Sequence, residues 1–224
     1  MHRGLTISVV IPCYNEEEGI RHVIGNMPSH VGEIIVVDNN STDATAEVAR
    51  SLGAKVIFEP KQGYGNAYRA GMPIASGDII ATADGDGTYP THYIPEMVDY
   101  LLDKDLDFIS ACRFPLQNSR AMRLRNVLGN KLLTLVMNAL YLSSVKDSQS
   151  GMWVFNRHCL DKMKLTSGGM SFSEEIKIEA ILHPEIKFGE YHIPYFERIG
   201  DPKLLPWRDG VDNLLFLFQR RLRR

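Results

Sequence analysis

Apolar runs of strand length alternate with stretches whose apolar residues fall at helical spacing. Leu5 to Ile11 is β-branched and apolar almost throughout, as a strand buried on both faces of a parallel sheet requires, and Pro12 is expected to end it. Ile20, Val23, Ile24 and Met27 then mark one face of a helix entered through Tyr14, Asn15 and three glutamates, Glu16, Glu17 and Glu18, whose charge suits a helix N-terminus. A second strand, Ile34 to Val37, stops at Asp38, and Asn39 to Asp43 supplies cap chemistry for a helix reaching about Leu52, with Gly53 as its stop. Lys55 to Phe58 is a third strand, ending at Glu59; Gly63-Tyr64-Gly65-Asn66-Ala67 opens a helix that stops near Gly77. The fourth run, Ile79 to Ala83, ends in Asp84-Gly85-Asp86-Gly87, and Ile94, Met97, Val98, Leu101 and Leu102 give the next helix. Phe108 to Cys112 is a fifth strand and ends at Arg113. This order predicts an α/β fold with a mostly parallel sheet, right-handed crossovers and helices on both faces.

The pattern changes after Arg113. Pro115 to Ala121 is a polar loop, and Arg120, Arg123, Arg125 and Lys131 lead into Leu132 to Val145. That stretch has only a thin polar edge, so it is either a deeply buried helix or one lying at a membrane interface. Asp147 to Gly151 reads as a loop, Met152 to Phe155 as a strand, Phe172 to Ala180 as an amphipathic helix and Phe188 to Tyr195 as a short strand. In the tail, Leu214 to Phe218 runs into a segment with Arg220, Arg221, Arg223 and Arg224. It is either a docked helix with a solvated end or an interfacial anchor. The simplest division is one catalytic unit, residues 1–197, with a C-terminal amphipathic extension, residues 198–224.

Composition narrows the class. With 224 residues and 44% hydrophobic content the chain can bury one substantial core. A net charge of -2 argues against a general grip on nucleic acid. Cys13, Cys112 and Cys159 are few and far apart, so neither a disulfide framework nor a zinc site is expected, which fits a reducing cytosol. No run approaches the roughly 20 apolar residues that span a bilayer. A cytoplasmic protein, soluble or peripheral at a membrane, is expected.

Candidate chemistry sits where strands end. Glu16, Asp38, Glu59, Asp84, Asp86 and Arg113 all fall at strand carboxyl ends, the edge at which open α/β sheets bind ligands. The pair Asp84 and Asp86, with no helper histidine, suits a hard cation such as Mg2+ or Mn2+ shared with substrate phosphates. Gly63, Gly65 and Gly71 do not form the Gly-x-Gly-x-x-Gly fingerprint, so a dinucleotide-binding domain is disfavoured. The turn at Gly65 can still bring backbone N–H groups close to a phosphate.

Val9 to Glu16, Val36 to Asp43, Asp84-Gly85-Asp86 and Asp147 to Met152, in that order, resemble glycosyltransferase family 2. With Arg198-Ile199-Gly200-Asp201-Pro202-Lys203-Leu204 they resemble its polyprenol-phosphate (dolichol-phosphate) hexose synthase branch. The resemblance implies a GT-A type, Rossmann-like fold and inverting transfer of a hexose from a GDP- or UDP-sugar to a polyprenyl or dolichyl phosphate. By position, Pro12, Tyr14, Glu16, Asp38 and Asn39 would surround the nucleotide, and Asp84 and Asp86 would hold Mg2+ or Mn2+ on the donor diphosphate. Arg113 and Arg125 would hold the acceptor phosphate, and Lys203 would close over the site. Asp147, Glu174 or Glu175 would orient the sugar; with Asp86 and Arg113, Asp147 makes up the expected catalytic set. An acceptor phosphate is already anionic, so no strong general base is required.

The chain departs from the family pattern at Asn39-Asn40, where Asp-Gly is frequent, at Thr88, where many relatives carry glutamine, and at Asp201-Pro202 before Lys203. Two other readings stay open: a soluble family 2 enzyme with a sugar or small hydroxyl acceptor, which would need a positioned carboxylate base, and a non-catalytic nucleotide-binding subunit of a membrane complex.

Overall fold

A computed structural model describes residues 1–201 and 206–223. The strands are β1 (Ile7–Cys13), β2 (Glu33–Asp38), β3 (Lys55–Phe58), β4 (Ile79–Thr82), β5 (Phe108–Cys112), β6 (Trp153–Asn156) and β7 (Phe188–His192). The helices are α1 (Glu17–Gly25), α2 (Thr45–Ser51), α3 (Tyr64–Gly71), α4 (Ile94–Asp103), α5 (Leu124–Tyr141), α6 (Cys159–Lys162), α7 (Phe172–Leu182) and α8 (Pro206–Leu222). The strands form one sheet in the order β3-β2-β1-β4-β6-β5-β7. All neighbours pair in parallel except β6, which is antiparallel to both β4 and β5.

Burial on both faces explains the continuous apolar runs. Ile7, Val9 and Ile11 point to one side of β1, where they meet Ile20, Val23, Met97 and Leu101 from α1 and α4. Val10, on the other side, packs with Ile35, Val37, Tyr68, Trp153 and Phe172. The strand period of two thus feeds two cores from one sequence run. A third cluster, built on Leu133, Met137, Tyr141, Ile178 and Leu217, joins α5, α7 and α8.

Several boundaries differ from expectation. β1 continues through Pro12, which pairs with Val37, to Cys13. Val10 accepts from the β4 side, through Ala83 N–H, so Pro12 presents its missing N–H to that same side, beyond the last β1–β4 pair at Val10 and Thr82. A proline costs no ladder bond where the neighbour has ended. The helix expected from Leu132 begins at Leu124, ends at Tyr141 and is capped by Leu142 in the left-handed region (φ 52°). The tail helix begins at Pro206, well before Leu214.

The antiparallel β6 positions the site. Its insertion leaves β4 and β5 parallel to each other, so Asp84, Asp86 and Arg113 emerge on one edge. Residues Asp147 to Met152, which lead into β6, come up to that same edge.

Candidate active site

A cavity of about 650 Å³ opens at the carboxyl edge. Pro12, Tyr14 and Glu16 reach it from the end of β1, Asn39 from β2, Asp84 and Asp86 from β4, and Arg113 from β5. Gly85 is required between the two aspartates because a Cβ there would lie 2.5 Å from Cys13 Sγ, and Gly19 lets α1 approach the Gly85 carbonyl. Gly87 completes the turn in the left-handed region (φ +76°).

Asp84 and Asp86 have different surroundings. Asp84 Oδ1 accepts from the Tyr64 hydroxyl at 3.1 Å. Burial and the neighbouring Asp86 push its carboxyl up to about 7. Asp86 Oδ1 accepts from Thr88 N–H at 3.0 Å and Thr88 Oγ1 at 2.7 Å, so the residue that stands in place of glutamine orients one carboxylate. Asp86 Oδ2 pairs with Arg198 Nη1, while Arg198 Nη2 pairs with Glu16 Oε1. The Arg198 loop is fixed to this turn by backbone: Ile199 N–H donates to Asp86 O at 2.9 Å and Phe196 N–H to Thr88 O at 3.0 Å. Among the described residues no three His, Cys, Asp or Glu side chains converge on one point. Two carboxylates, one unfavourably buried beside the other, fit a Mg2+ or Mn2+ ion that takes its remaining ligands from a diphosphate and water.

Arg113 and Asp147 form a buried fork. Arg113 Nε donates to Asp147 Oδ2 at 2.7 Å, Nη2 to Oδ1 at 2.8 Å and the backbone N–H to Oδ2 at 3.1 Å. Burial works against the Asp147 carboxylate, but the Arg113 charge and hydrogen bonds hold it below the usual range. The guanidinium lies 5.1 Å from the Tyr195 ring centroid. Its fork is therefore already engaged, and it faces the cavity as a fixed positive charge.

The loop after Asp147 is pinned from beneath. Lys177 is fully buried, and its Nζ donates to Ser148 O and Ser150 O at 2.7 Å each. Burial pushes its ammonium down to about 7. Gln149 Nε2 donates to Glu174 Oε1 at 2.6 Å, and Asn213 Nδ2, from α8, donates to Gln149 Oε1 at 2.9 Å. Burial drives the Glu174 carboxyl up to about 8. Glu175 instead faces away from the cavity, accepting from Thr166 N–H at 2.9 Å and Ser167 N–H at 2.7 Å.

The other expected site residues divide. Asn39 lines the cavity but its amide is committed: Nδ2 donates to Glu59 O at 3.0 Å and Lys61 O at 2.9 Å, and Oδ1 accepts from Gly63 N–H at 2.7 Å. Asp38 stands behind it, with Oδ1 accepting from Ser41 N–H at 3.0 Å. Gly65 does not offer its N–H to a phosphate; it donates to Gly169 O at 3.2 Å, and the missing side chain admits the Ser167–Gly168 backbone. Arg125 is exposed on the first turn of α5, outside the cavity lining. Lys203 lies outside the described residues. Sequence reading missed Tyr64, Gln149, Asn213 and, above all, Arg198, whose position in the tail motif was the available signal.

Comparison with known proteins accords with this geometry. The sequence model of Glycosyl transferase family 2 matches residues 8–163. A Haloferax volcanii protein named Dolichyl-phosphate hexose transferase is 31% identical over 211 residues, 92% of this chain and 89% of that one. The Low-salt glycan biosynthesis hexosyltransferase Agl6 of the same organism is 34% identical over 220 residues, covering 95% of this chain and 53% of its own length. The chain therefore spans about half of that relative. A glucosyl-3-phosphoglycerate synthase from Mycobacterium tuberculosis, solved with Mn2+, uridine diphosphate and glucosyl-3-phosphoglycerate, shares the fold with a TM-score of 0.74 at 24% identity, covering 97% of this chain and 80% of that one. The sheet is accordingly of the GT-A type. Because the family match takes in β1 through β6 and every carboxylate that β1 and β4 bring to the cavity, the chain belongs to glycosyltransferase family 2 and is a glycosyltransferase.

Proposed function

We propose that this enzyme transfers a hexose, with inversion, from a nucleotide-diphosphate sugar to a polyprenyl or dolichyl phosphate. The observation that carries this reading is the convergence of Asp84 and Asp86 with the fixed cation Arg113 across one cavity. Pro12, Tyr14 and Glu16 would bound the nucleotide, while Asp84 and Asp86 would hold Mg2+ or Mn2+ against the diphosphate. The ion would withdraw charge from the leaving diphosphate. Arg113, held rigid by Asp147, would set the electrostatic potential that draws the acceptor phosphate to the sugar. Gln149 and Asn213, amides at the cavity wall, would meet sugar hydroxyls.

The hydroxyl-acceptor alternative is less well supported by the same geometry. It needs a free carboxylate base, yet Asp147 is bound to Arg113 and the raised Glu174 carboxyl holds its proton at neutral pH. A phosphate acceptor needs no such base, and the Haloferax dolichyl-phosphate relative points the same way. Such an acceptor would place the enzyme at the cytoplasmic face of a membrane, with residues 1–197 as the catalytic unit and 198–224, including Lys203, as lid and interfacial helix. Among the described residues no helix is long and apolar enough to cross a membrane.

The test is a transfer assay with GDP- and UDP-sugars, Mn2+ and polyprenyl phosphate, read as nucleotide diphosphate release and lipid-linked hexose. Asp86→Ala is expected to lower turnover by about a hundredfold or more, the scale for losing a charge-stabilising group, with an unchanged far-UV spectrum. Release that requires a free sugar and ignores lipid phosphate would replace this reading with the hydroxyl-acceptor one.

A further inference from the structure

α8, which lines the cavity, and α5, packed against it, carry apolar side chains on the outside as well as the inside. α5 buries Leu133, Met137 and Tyr141, and α8 buries Leu217, whose carbonyl accepts from the Tyr141 hydroxyl at 2.9 Å. On its opposite face α5 exposes Leu124, Leu128, Leu132 and Leu135, 55–73% open to solvent, and its cap Leu142 is 91% exposed. α8 does the same with Val211, Leu215, Phe218 and Leu222. The spacings are those of a single helical stripe on each helix. Eight of the sixteen exposed large apolar side chains among the described residues lie on these two packed helices, and a ninth, Leu142, caps α5. Scattered exposed leucines need no explanation, but paired stripes of this kind mark a surface that meets something apolar.

Charge identifies the partner. Between Asp107 and Asp147 the chain has no carboxylate at all, while Arg120, Arg123, Arg125, Lys131 and Lys146 flank the α5 stripe. On α8 Arg221 is exposed, as is Arg223 just beyond its end, while the exposed Arg208 lies 4.0 Å from Asp212. This concentration of cations occurs in a chain whose net charge is -2. A leucine-rich stripe bordered by arginine and lysine, without the length to span, matches the interfacial region of an anionic bilayer.

The structure also moves the contact away from the tail alone. Leu214 and Phe216 pack inward, and Arg220 is turned back onto Glu175 and Glu179, with Nη2 2.8 Å from Glu179 Oε1. The tail by itself therefore offers less than its sequence advertises, and α5 supplies the larger stripe.

We infer that the outer face of α5, continued by Val211, Leu215, Phe218 and Leu222 of α8, is a docking surface for an anionic lipid bilayer. This rests on the membrane-acceptor reading above and assigns it a face. Since Arg208, Asp212 and Asn213 of α8 also line the cavity, docking there would bring the cavity mouth beside the lipid surface.

The experiment is co-sedimentation of the full chain with vesicles of phosphatidylcholine containing phosphatidylglycerol, comparing the natural protein with Leu128→Glu/Leu135→Glu. Both leucines are exposed, so the fold is expected to survive, and circular dichroism checks it. The bound fraction is expected to fall about tenfold in the variant, and in the natural protein to fall with added salt. Transfer to a short, water-soluble polyprenyl phosphate should change less than about twofold. As a second measurement, Leu135→Trp should show fluorescence quenched by brominated lipid. Undiminished vesicle binding by the glutamate variant, an unquenched Trp at position 135, or a leucine-dependent dimer in sedimentation velocity would each overturn the assignment. Leucine-dependent vesicle binding without any hexose transfer to lipid phosphate would instead leave the surface standing and remove the acceptor reading.

Discussion

Arg198 occupies a position that a residue-by-residue reading of the strands cannot foresee, because it arrives from the far end of the chain. Its guanidinium spans Glu16 and Asp86 and so neutralises carboxylates that a divalent ion would also seek. Arg198→Ala is expected to tighten Mn2+ binding in the absence of nucleotide by about threefold to tenfold, read by electron paramagnetic resonance titration. Weaker binding would show that the arginine organises the carboxylates instead of competing for them. Arg113 and Asp147 are a different case, since both are buried and each compensates the other. Arg113→Ala is expected to cost about 3–5 kcal/mol in chemical denaturation, the cost of stranding a buried carboxylate. Glu174 makes a prediction in pH. Its carboxyl rises from 4.5 to about 8 on folding, so the folded state binds that proton more tightly. The associated stability is complete below 4.5 and is lost as pH rises towards 8. Glu174→Gln, which keeps an acceptor for Gln149, should therefore melt progressively higher relative to the natural protein across that interval; parallel melting curves would show that Glu174 does not titrate there. Asp84, Asp86 and Glu16 were legible because they end apolar runs. The commitment of Asn39 and Gly65 to neighbouring loops was not, since it depends on segments 20 to 104 residues away.

Among elements, β1, β2 and β4 were readable to within a few residues because burial leaves an unbroken apolar signature, and the edge strand β3, none of whose residues is fully buried, because Val56 and Ile57 stand between Gly53 and Pro60. α5 was only half readable. Arg125, Gly129 and Lys131 interrupt the apolar pattern of its first turns, so the sequence suggests a later start than Leu124. Its two apolar faces also cancel in any periodicity, leaving burial and interface equally consistent with the residues. The tail arginines look alike in sequence, but Arg220 is folded back, donating to Glu179 Oε1 at 2.8 Å and Lys164 O at 3.0 Å. Arg220→Ala should cost about 1–3 kcal/mol, the range for hydrogen bonds to charged groups. It should also speed amide exchange in α8 and leave β1 unchanged. Equal acceleration in both would mean that α8 and the central sheet open as one unit.

Over the whole molecule, the α/β class and the edge that binds ligand followed from strand order, whereas the direction of β6 did not. A four-residue apolar run carries no mark of its orientation, which is set by how the Asp147 loop returns to the sheet. That return has a consequence for the growing chain. Ile79, Ile80 and Ala81 pair on one side with β1, made early, and on the other with Asn156, Phe155 and Val154. Until β6 has been synthesised, the open edge of β4 offers an apolar strand with unpaired backbone groups to any other chain at hand. A nascent polypeptide halted before residue 150 would carry β1 to β5 and α1 to α5 with its stickiest edge bare, and chaperone capture should peak over that window of translation and decline once β6 closes the seam.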